Sequence, residues 1–367
     1  MIGVLGGYGA VGSTTARLLT GRDVRVGGRD GAAARRFVRD ALRGQGEAWQ
    51  VDADDPASLA RFCRGCRVVV NCAGPSYLLQ DRVARAARAA GADYVDAAGN
   101  PAAFPELAPG GTGNGAADGW VAVVEAGMLP GLTGVLPRHL AALAGSDSGP
   151  LRLDVYTGGL DRLTPAAAGD VMLVGQEEQG AALAAWRGGG RVARALTPAQ
   201  DVELPYFPGP VTAYPYLSAE AERVAGDLGL AEARWYNVIT GDRILATAAT
   251  AASSAGPPRA AGLARAAELE LAGRTPYYVL LFQLSSPQRT RTLALRTADS
   301  YALTAAVVAH ATTAVLEGGI PPGVHHADAV LDPARMPAEL DAVATIEITD
   351  GLAPIDLTAP AFEEGAL

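Results

Sequence analysis

Lysine is absent from this 367-residue chain, in which all 30 basic residues are arginine. A guanidinium keeps its proton and forms no imine, so the absence excludes pyridoxal-phosphate chemistry, lysine-dependent aldolases, Walker-type phosphate loops and dehydrogenases built on a Tyr/Lys pair. Cysteine is nearly as scarce, at Cys63, Cys66 and Cys72. Three thiols in so long a chain read as reduced groups in a reducing compartment, not as a disulfide framework. Cys63 and Cys66 form a C-x-x-C pair, but no histidine stands near it in sequence, which leaves it short of the four ligands of a structural zinc site. Long hydrophobic runs are also missing. The longest, Tyr301 to Leu316, falls short of the ~20 residues of a membrane span and contains His310, so it reads as a buried helix. The chain opens on the apolar run Ile2 to Gly6 without a basic leader, which predicts a first strand and a soluble, cytoplasmic protein.

Charge is sparse, at 19% of residues, and the net charge is -9, which disfavours nucleic acid or an anionic membrane as partner. Its distribution is uneven: residues 1–90 hold 14 arginines against 8 acidic residues, the remainder 16 against 31. The 45 glycines and 24 prolines belong mostly to turns.

What is present is an alternation of short β-branched runs with helical stretches from residue 2 to about 125, the pattern of βαβ units on a parallel sheet. Strands are expected at Ile2–Gly6, Val24–Gly28, Ala48–Asp52, Arg67–Cys72, Asp93–Asp96 and Trp120–Glu125, with helices at about Ala10–Thr20, Ala32–Leu42, Pro56–Arg64 and Gln80–Ala90. Gly110–Gly119 reads as a connector. After Gly131 the rhythm changes: a helix over Leu132–Ala144, a strand Leu151–Thr157, an Ala-rich helix near Ala166–Trp186, an aromatic cluster (Tyr206, Phe207, Tyr214, Tyr216), and strands near Tyr277–Leu284, whose Tyr, Val, Leu and Phe would make an aggregation edge if left uncovered, and Thr290–Leu295. The predicted fold is α/β, a Rossmann doubly wound parallel sheet (1–128) followed by a separate α+β domain (129–298), with C-terminal elements returning to the first domain (299–350) and a loosely held tail (351–367).

Gly7-Tyr8-Gly9-Ala10-Val11-Gly12 fits G-x-G-x-x-G directly after a strand and at the opening of a helix, where it binds a dinucleotide. Gly7 allows the tight turn, Gly9 lets backbone approach a pyrophosphate, and Gly12 lets helix and sheet pack closely. The second strand ends Gly27-Gly28-Arg29, without the carboxylate that would bind a ribose 2′-hydroxyl. Arg29 can instead pair with a 2′-phosphate, which favours NADP(H) over NAD, with the adjacent Asp30 as the counter-argument. Asp52, after the third strand, could accept from the adenine amino group. Asn71-Cys72-Ala73-Gly74-Pro75 ends the fourth strand at the crevice where ligands bind in such sheets. Asp96, ending the fifth, is either a loop-bracing carboxylate or a polar group at the site.

These segments, GGYGAVG, Gly28-Arg29, VDADDPASL, VVVNCAGP, YVDAAG, GMLPGLTG, Gly158-Gly159-Leu160, DSYALTAAVVAHA and PPGV, together resemble the saccharopine dehydrogenase (reductase-like) family, in order, from residue 1 to about 345. The resemblance implies a Rossmann domain completed by C-terminal elements, an inserted substrate and dimerisation domain, a homodimer, and an NAD(P)-linked reaction at a carbon–nitrogen bond. One departure concerns the substrate. Where many such reductases carry an acidic residue in the turn before Pro-Gly, this chain has Leu129 within Gly127-Met128-Leu129-Pro130-Gly131, so a carboxylate that could grip a substrate ammonium is missing.

Tyr77, two residues past Pro75, is the first candidate proton donor, with Asp96 and His139 behind it. His310 reads as a core histidine, and His325 and His326 as loop residues. Met128, Leu129 and Pro130, with Arg162, Arg187 and Arg243 as partners for a carboxylate, are candidate substrate contacts. The function expected is an NADPH-dependent oxidoreductase acting on a carbon–nitrogen bond of a small amino-acid- or amine-derived molecule, no metal being required. Reduction of an activated carbon–carbon double bond and a non-catalytic NADP-binding regulator are the alternatives.

Overall fold

A computed structural model describes residues 1–99, 107, 119–145, 149–171, 180–251 and 257–357. The first domain runs β1 (Ile2–Leu5), α1 (Ala10–Leu18), β2 (Val24–Gly28), α2 (Gly31–Asp40), β3 (Glu47–Gln50), α3 (Pro56–Cys63), β4 (Val68–Asn71), α4 (Ser76–Leu79), α5 (Arg82–Ala89), β5 (Asp93–Asp96) and β6 (Val121–Val124). Helix α6 (Leu132–Ala144) leads into the second domain: β7 (Arg152–Leu160), α7 (Pro165–Val171), β8 (Gly180–Ala182), β9 (Ala185–Arg187), β10 (Gly190–Val192), β11 (Ala199–Val202), β12 (Val211–Ser218), α8 (Ala219–Asp227), β13 (Glu232–Ile239), α9 (Asp242–Ala251), α10 (Pro257–Leu271), β14 (Tyr277–Ser285) and β15 (Thr290–Thr297). The chain then adds α11 (Ser300–Leu316), β16 (Gly323–His326), α12 (Ala327–Val330), α13 (Met336–Leu340) and β17 (Thr345–Asp350).

The first sheet has the order β16-β6-β5-β4-β1-β2-β3 and is parallel throughout. This is the doubly wound order, extended by one strand, with its crevice outside the carboxyl ends of β1 and β4. The central strands are fully buried because helices cover both faces. On one face Val4, Val26 and Val70 meet Ala16 and Leu19 of α1 and Leu303 and Val307 of α11. On the other, Leu5 and Val69 meet Leu59 and Phe62 of α3 and Val83 and Ala87 of α5. Helix α11, the longest apolar run of the sequence, packs on this sheet through Leu303 and Val307.

Arg25 shows how a strand and a helix end are fixed together. It is 8% exposed in β2, and its guanidinium donates to the Phe62 and Arg64 carbonyls at 2.6 and 2.9 Å and to Glu47 at 2.9 Å, while lying over the Trp49 ring. The carbonyls that the end of α3 leaves without helical partners thus receive a cation.

The second sheet runs β10-β9-β13-β7-β14-β15-β17, with β12, β11 and β8 attached to it; β7 and β13 pair parallel and the other pairs are antiparallel. Three expectations are corrected here. The helix expected to reach Trp186 is helical over Pro165–Val171, residues 172–179 lie outside the described residues, and Gly180–Ala182 and Ala185–Arg187 are strands, since Ala and Trp there pair with β12 and β13. Tyr277–Leu284, expected as a strand edge needing a cover, is central: β14 has β7 on one side and β15 on the other. His325 and His326 are not loop residues but end β16, the seventh strand of the first sheet, where no alternation of apolar residues marks a strand. The aromatic cluster belongs to the interior of the second domain: Phe207 and Tyr216 are each 8% exposed, and Tyr206 and Phe207 pack on Val211 and Tyr236. Residues 110–118 of the expected connector and 358–367 of the expected tail lie outside the described residues.

Candidate functional site

The turn after β1 is shaped by its glycines. Gly6 has φ +72°, and a Cβ on Gly12 would lie 2.3 Å from the Gly6 carbonyl oxygen, so only glycine lets α1 start this close to the strand. Gly9 is the N-cap of α1, no side chain caps that end, and no acidic residue stands in its first turn. The leading backbone N–H groups of α1 therefore face the crevice free of a competing carboxylate, the condition for receiving a pyrophosphate.

At the tip of β2 the two competing side chains separate. Asp30 is the N-cap of α2, its carboxylate accepting from the N–H of Ala32 at 2.8 Å and of Ala33 at 3.0 Å. Those bonds hold its carboxyl below the usual carboxylate range against desolvation, helped by Arg36 and Arg35. Arg29 is exposed, and its side chain makes no hydrogen bond or ion pair with a described residue. Tyr8 lies across this tip: its hydroxyl accepts from Asp30 N–H at 2.8 Å, and a Cβ on Gly28 would fall 2.5 Å from its ring. Asp52, exposed after β3, accepts from Asp54 N–H at 3.0 Å.

The carboxyl ends of β4 and β5 are braced together. Asn71 donates to Asp96 at 3.1 Å and accepts from Ala73 N–H at 3.1 Å, which fixes the Cys72-Ala73-Gly74-Pro75 turn. Asp96 also accepts from Ala98 N–H at 3.0 Å, from Gly99 N–H at 2.8 Å and from the Tyr94 hydroxyl. With four donors on one 6% exposed carboxylate, Asp96 is the bracing group of the two readings left open by the sequence. Burial pushes the Cys72 thiol up to about 12, so it stays protonated at neutral pH, and the Cys63 thiol behaves alike. All three cysteines are free.

Helix α7 of the second domain reaches over this turn. Asp170 accepts from Ser76 N–H and from the Ser76 hydroxyl, both at 2.9 Å, while Gly169 packs against Tyr77 and Pro75 and Ala166 against Gly74. Burial raises the Asp170 carboxyl above its usual range, and the charge of Asp96 adds to that effect. Asp170 is a residue that sequence reasoning missed. It lies 94 residues beyond Ser76, in a stretch whose only signal is small residues.

The turn after β6 is held from the second domain as well. Glu220 of α8 accepts from Gly131 N–H and from the Thr133 hydroxyl, both at 2.6 Å, placing Met128, Leu129 and Pro130 between two anchored glycines that bridge, Gly127 and Gly131. Leu129 is 44% exposed at the apex. Burial, together with the negative charges of Asp328 and Glu125, pushes the Glu220 carboxyl up to about 8. Beside it Glu125, in a left-handed conformation at φ +59°, accepts from Arg223 at 2.7 Å and pairs with His326 at 2.8 Å, and Asp328 accepts from Arg223 at 2.9 Å and Arg138 at 2.8 Å. Glu125, His326 and Asp328 lie close enough together to hold a cation, but the Arg223 guanidinium already bridges both carboxylates.

The structure does not bring the other named residues to the crevice. His139 faces the segment after α12, with the Pro333 backbone as its partner and Ala334, Pro337 and Ile346 beside it, and burial lowers its pKa. His139 thus lies on a different face of α6 from Thr133, which bonds Glu220. Arg162, Arg187 and Arg243 pair with three different carboxylates, Asp299 at 3.2 Å, Glu232 at 2.8 Å and Glu270 at 3.9 Å, and form no common anion site.

Residues 2–109 match the family model of the saccharopine dehydrogenase NADP-binding domain. No curated protein matches the sequence. The first domain and the one that follows it share their fold with apo saccharopine dehydrogenase (L-Glu forming) from Saccharomyces cerevisiae, at 17% identity over 95% of this chain and 99% of that one, with a TM-score of 0.66. The NADP(H) complex of the Citrobacter sp. triphenylmethane reductase matches over 26% of this chain and 36% of its own, at 24% identity and a TM-score of 0.23. GenD2 from gentamicin A biosynthesis, in complex with NAD, matches over 96% of each chain at 14% identity and a TM-score of 0.45. The glycine turn, with no room for a side chain at Gly12 and an uncapped α1, fits a nicotinamide dinucleotide. Among the described residues no helix is long and apolar enough to cross a membrane.

Proposed function

We propose that the protein is an NADPH-dependent reductase of a carbon–nitrogen double bond in a small amino-acid- or amine-derived molecule, a cytoplasmic enzyme of specialised metabolism. The observation that carries this reading is the roof over the crevice: α7 of the second domain lies on the Gly74–Tyr77 turn through Asp170, Gly169 and Ala166. A regulator that merely binds a dinucleotide has no use for a second domain closed onto the reacting end. A reductase needs one, to orient substrate and exclude water.

In this reading Gly7, Gly9, Ala10, Val11 and Gly12 hold the pyrophosphate, Arg29 the 2′-phosphate, Asp52 the adenine, and Asn71 to Pro75 the nicotinamide half. NADPH when bound supplies the hydride. The residues of the chain orient the substrate beneath the Met128-Leu129-Pro130 turn, and the Tyr77 hydroxyl, for which no partner is found among the described residues, delivers the proton. With no lysine in the chain, the nitrogen of the imine belongs to the substrate. The Asp30 carboxylate is turned to the N-terminus of α2, where the N–H groups of Ala32 and Ala33 and the nearby Arg36 offset its charge beside Arg29. The resemblance also implies a homodimer joined through the second domain, which sedimentation at micromolar concentration tests.

The deciding experiment compares NADPH oxidation with a panel of preformed imines of amino acids and amines and with enoyl thioesters. Turnover of an imine supports the reading, and turnover of the thioesters alone overturns it. Nicotinamide-fluorescence titration of Arg29→Ala should show a loss of about tenfold or more for NADPH and little for NADH, the size of a charge-assisted hydrogen bond. Tyr77→Phe should lower turnover by about 10²–10⁴-fold with NADPH affinity nearly intact.

A further inference from the structure

Tyr8 is the x of the first G-x-G, a position whose side chain the dinucleotide fold leaves unspecified. In this chain it is committed to the far side of the turn. Its ring covers Gly28, where any Cβ would come within 2.5 Å of it, and its hydroxyl accepts from Asp30 N–H at 2.8 Å. Arg29 is therefore bracketed: the residue before it lies beneath the Tyr8 ring and the residue after it is bonded to the Tyr8 oxygen. A phenol that accepts one hydrogen bond still has its own proton to donate. That proton has no acceptor among the described residues, since the nearby Asp30 carboxylate is turned into α2. Apart from the Asp30 carboxylate, the groups at this tip are donors or cations: the Tyr8 hydroxyl, Arg29, and Arg35 and Arg36 of α2, both of which act on Asp30.

We propose that the Tyr8 hydroxyl is a phosphate ligand, donating alongside Arg29 to the 2′-phosphate of an adenosine nucleotide, so that cofactor choice is made partly by the glycine turn itself. The inference rests on the NADPH reading above and adds to it a second, independent donor. The hydroxyl adds a directional donor to the charge of Arg29, and its bond to a 2′-phosphate oxygen, which NADPH has and NADH lacks at that place, is stronger than one to a neutral hydroxyl. Gly28 is then required for its size, because a side chain there would push the ring and its hydroxyl off the tip.

The test is a double-variant cycle read by nicotinamide-fluorescence titration with NADPH and NADH, on the full-length wild type, Tyr8→Phe, Arg29→Ala and the double variant. Tyr8→Phe keeps the ring against Gly28 and removes only the hydroxyl. The expected result is a loss of about tenfold in NADPH affinity with NADH changed by less than about threefold, the span of a hydrogen bond to a charged group against a neutral one. The loss should persist in the Arg29→Ala background. A loss that vanishes there would show that Tyr8 only places Arg29 and would overturn the proposal, as would equal losses for both cofactors, which mark a structural role. Wild-type protein that binds NADH as tightly as NADPH would instead refute the NADPH reading itself, whatever the Tyr8 variant does.

Discussion

Arg223 is the cation on which the buried cluster between the two domains depends, and Arg223→Met measures that dependence. Its guanidinium donates at 2.7 Å to Glu125 and at 2.9 Å to Asp328, whose side chains are 3% and 0% exposed. Methionine keeps most of the apolar stem and removes the charge. Each carboxylate then retains one partner, His326 for Glu125 and Arg138 for Asp328, so the variant leaves two under-compensated buried anions. Breaking a buried pair from one side costs about 3–5 kcal/mol, and the remaining partners set the expectation at the lower end of that range. The pH dependence follows from Asp328, whose carboxyl lies below its usual range because Arg223 and Arg138 outweigh its burial. A lowered folded pKa gives stability that is present above the unfolded pKa and is lost as pH falls through the folded one. Removing Arg223 raises that pKa, so the variant's deficit should be full near pH 7 and shrink as pH falls into the carboxylate range. Urea denaturation followed by tryptophan fluorescence at a series of pH values reads both quantities. A deficit below about 1 kcal/mol at pH 7, the size of an exposed pair, or one that grows on acidification, would refute the reasoning.

Two further outcomes follow. Gly12→Ala, whose new Cβ meets the Gly6 carbonyl at 2.3 Å, should lower stability by about 1–3 kcal/mol and abolish measurable NADPH binding, checked by denaturation and fluorescence titration; wild-type affinity would show that the turn relaxes freely. Asp170→Ala should free the Ser76 N–H from its 2.9 Å acceptor, so that this amide exchanges its hydrogen faster while amides of β1 do not change; an unchanged Ser76 would mean that α7 does not hold the turn.

The first domain was legible because its signals are local. Strand, glycine turn and helix follow one another within a few residues, and the buried β-branched runs of β1, β4 and β6 have the length of strands covered on both faces. Asp30 was legible as a difficulty but not as a solution, since an aspartate before a helix is equally a cap and a ribose ligand until its two N–H donors are seen. The second domain was read poorly for the opposite reason. Its short strands β8 to β11 carry glycine, alanine and arginine, with no alternation, and are strands only because β12 and β13 offer edges to them. His326 looked like loop sequence after Pro-Pro-Gly, and β16 exists because β6 would otherwise present an open parallel edge. Arg162, Arg187 and Arg243 carry no sequence signal beyond their charge, and their carboxylate partners Asp299, Glu232 and Glu270 lie 27 to 137 residues away.

The groups that sequence could not find share one property: they act on crevice turns of the first domain but are supplied by the second. Asp170 takes the turn after β4, Glu220 the turn after β6, and Arg223 the left-handed Glu125 at the end of β6. A non-glycine residue in that conformation costs about 1–2 kcal/mol, and Glu125 persists in it because its carboxylate is bonded on both sides. Glu220 shows the same coupling electrically. With its carboxyl at about 8 it is largely neutral at pH 7, and it can be neutral while still accepting from Gly131 because the charge of that corner is already carried by Glu125 and Asp328. The turns that frame the reacting end of the crevice therefore take their shape from contacts that exist only when both domains are folded and docked. In the proposed reductase the dinucleotide fold would then supply the generic half of the site and the second domain its geometry.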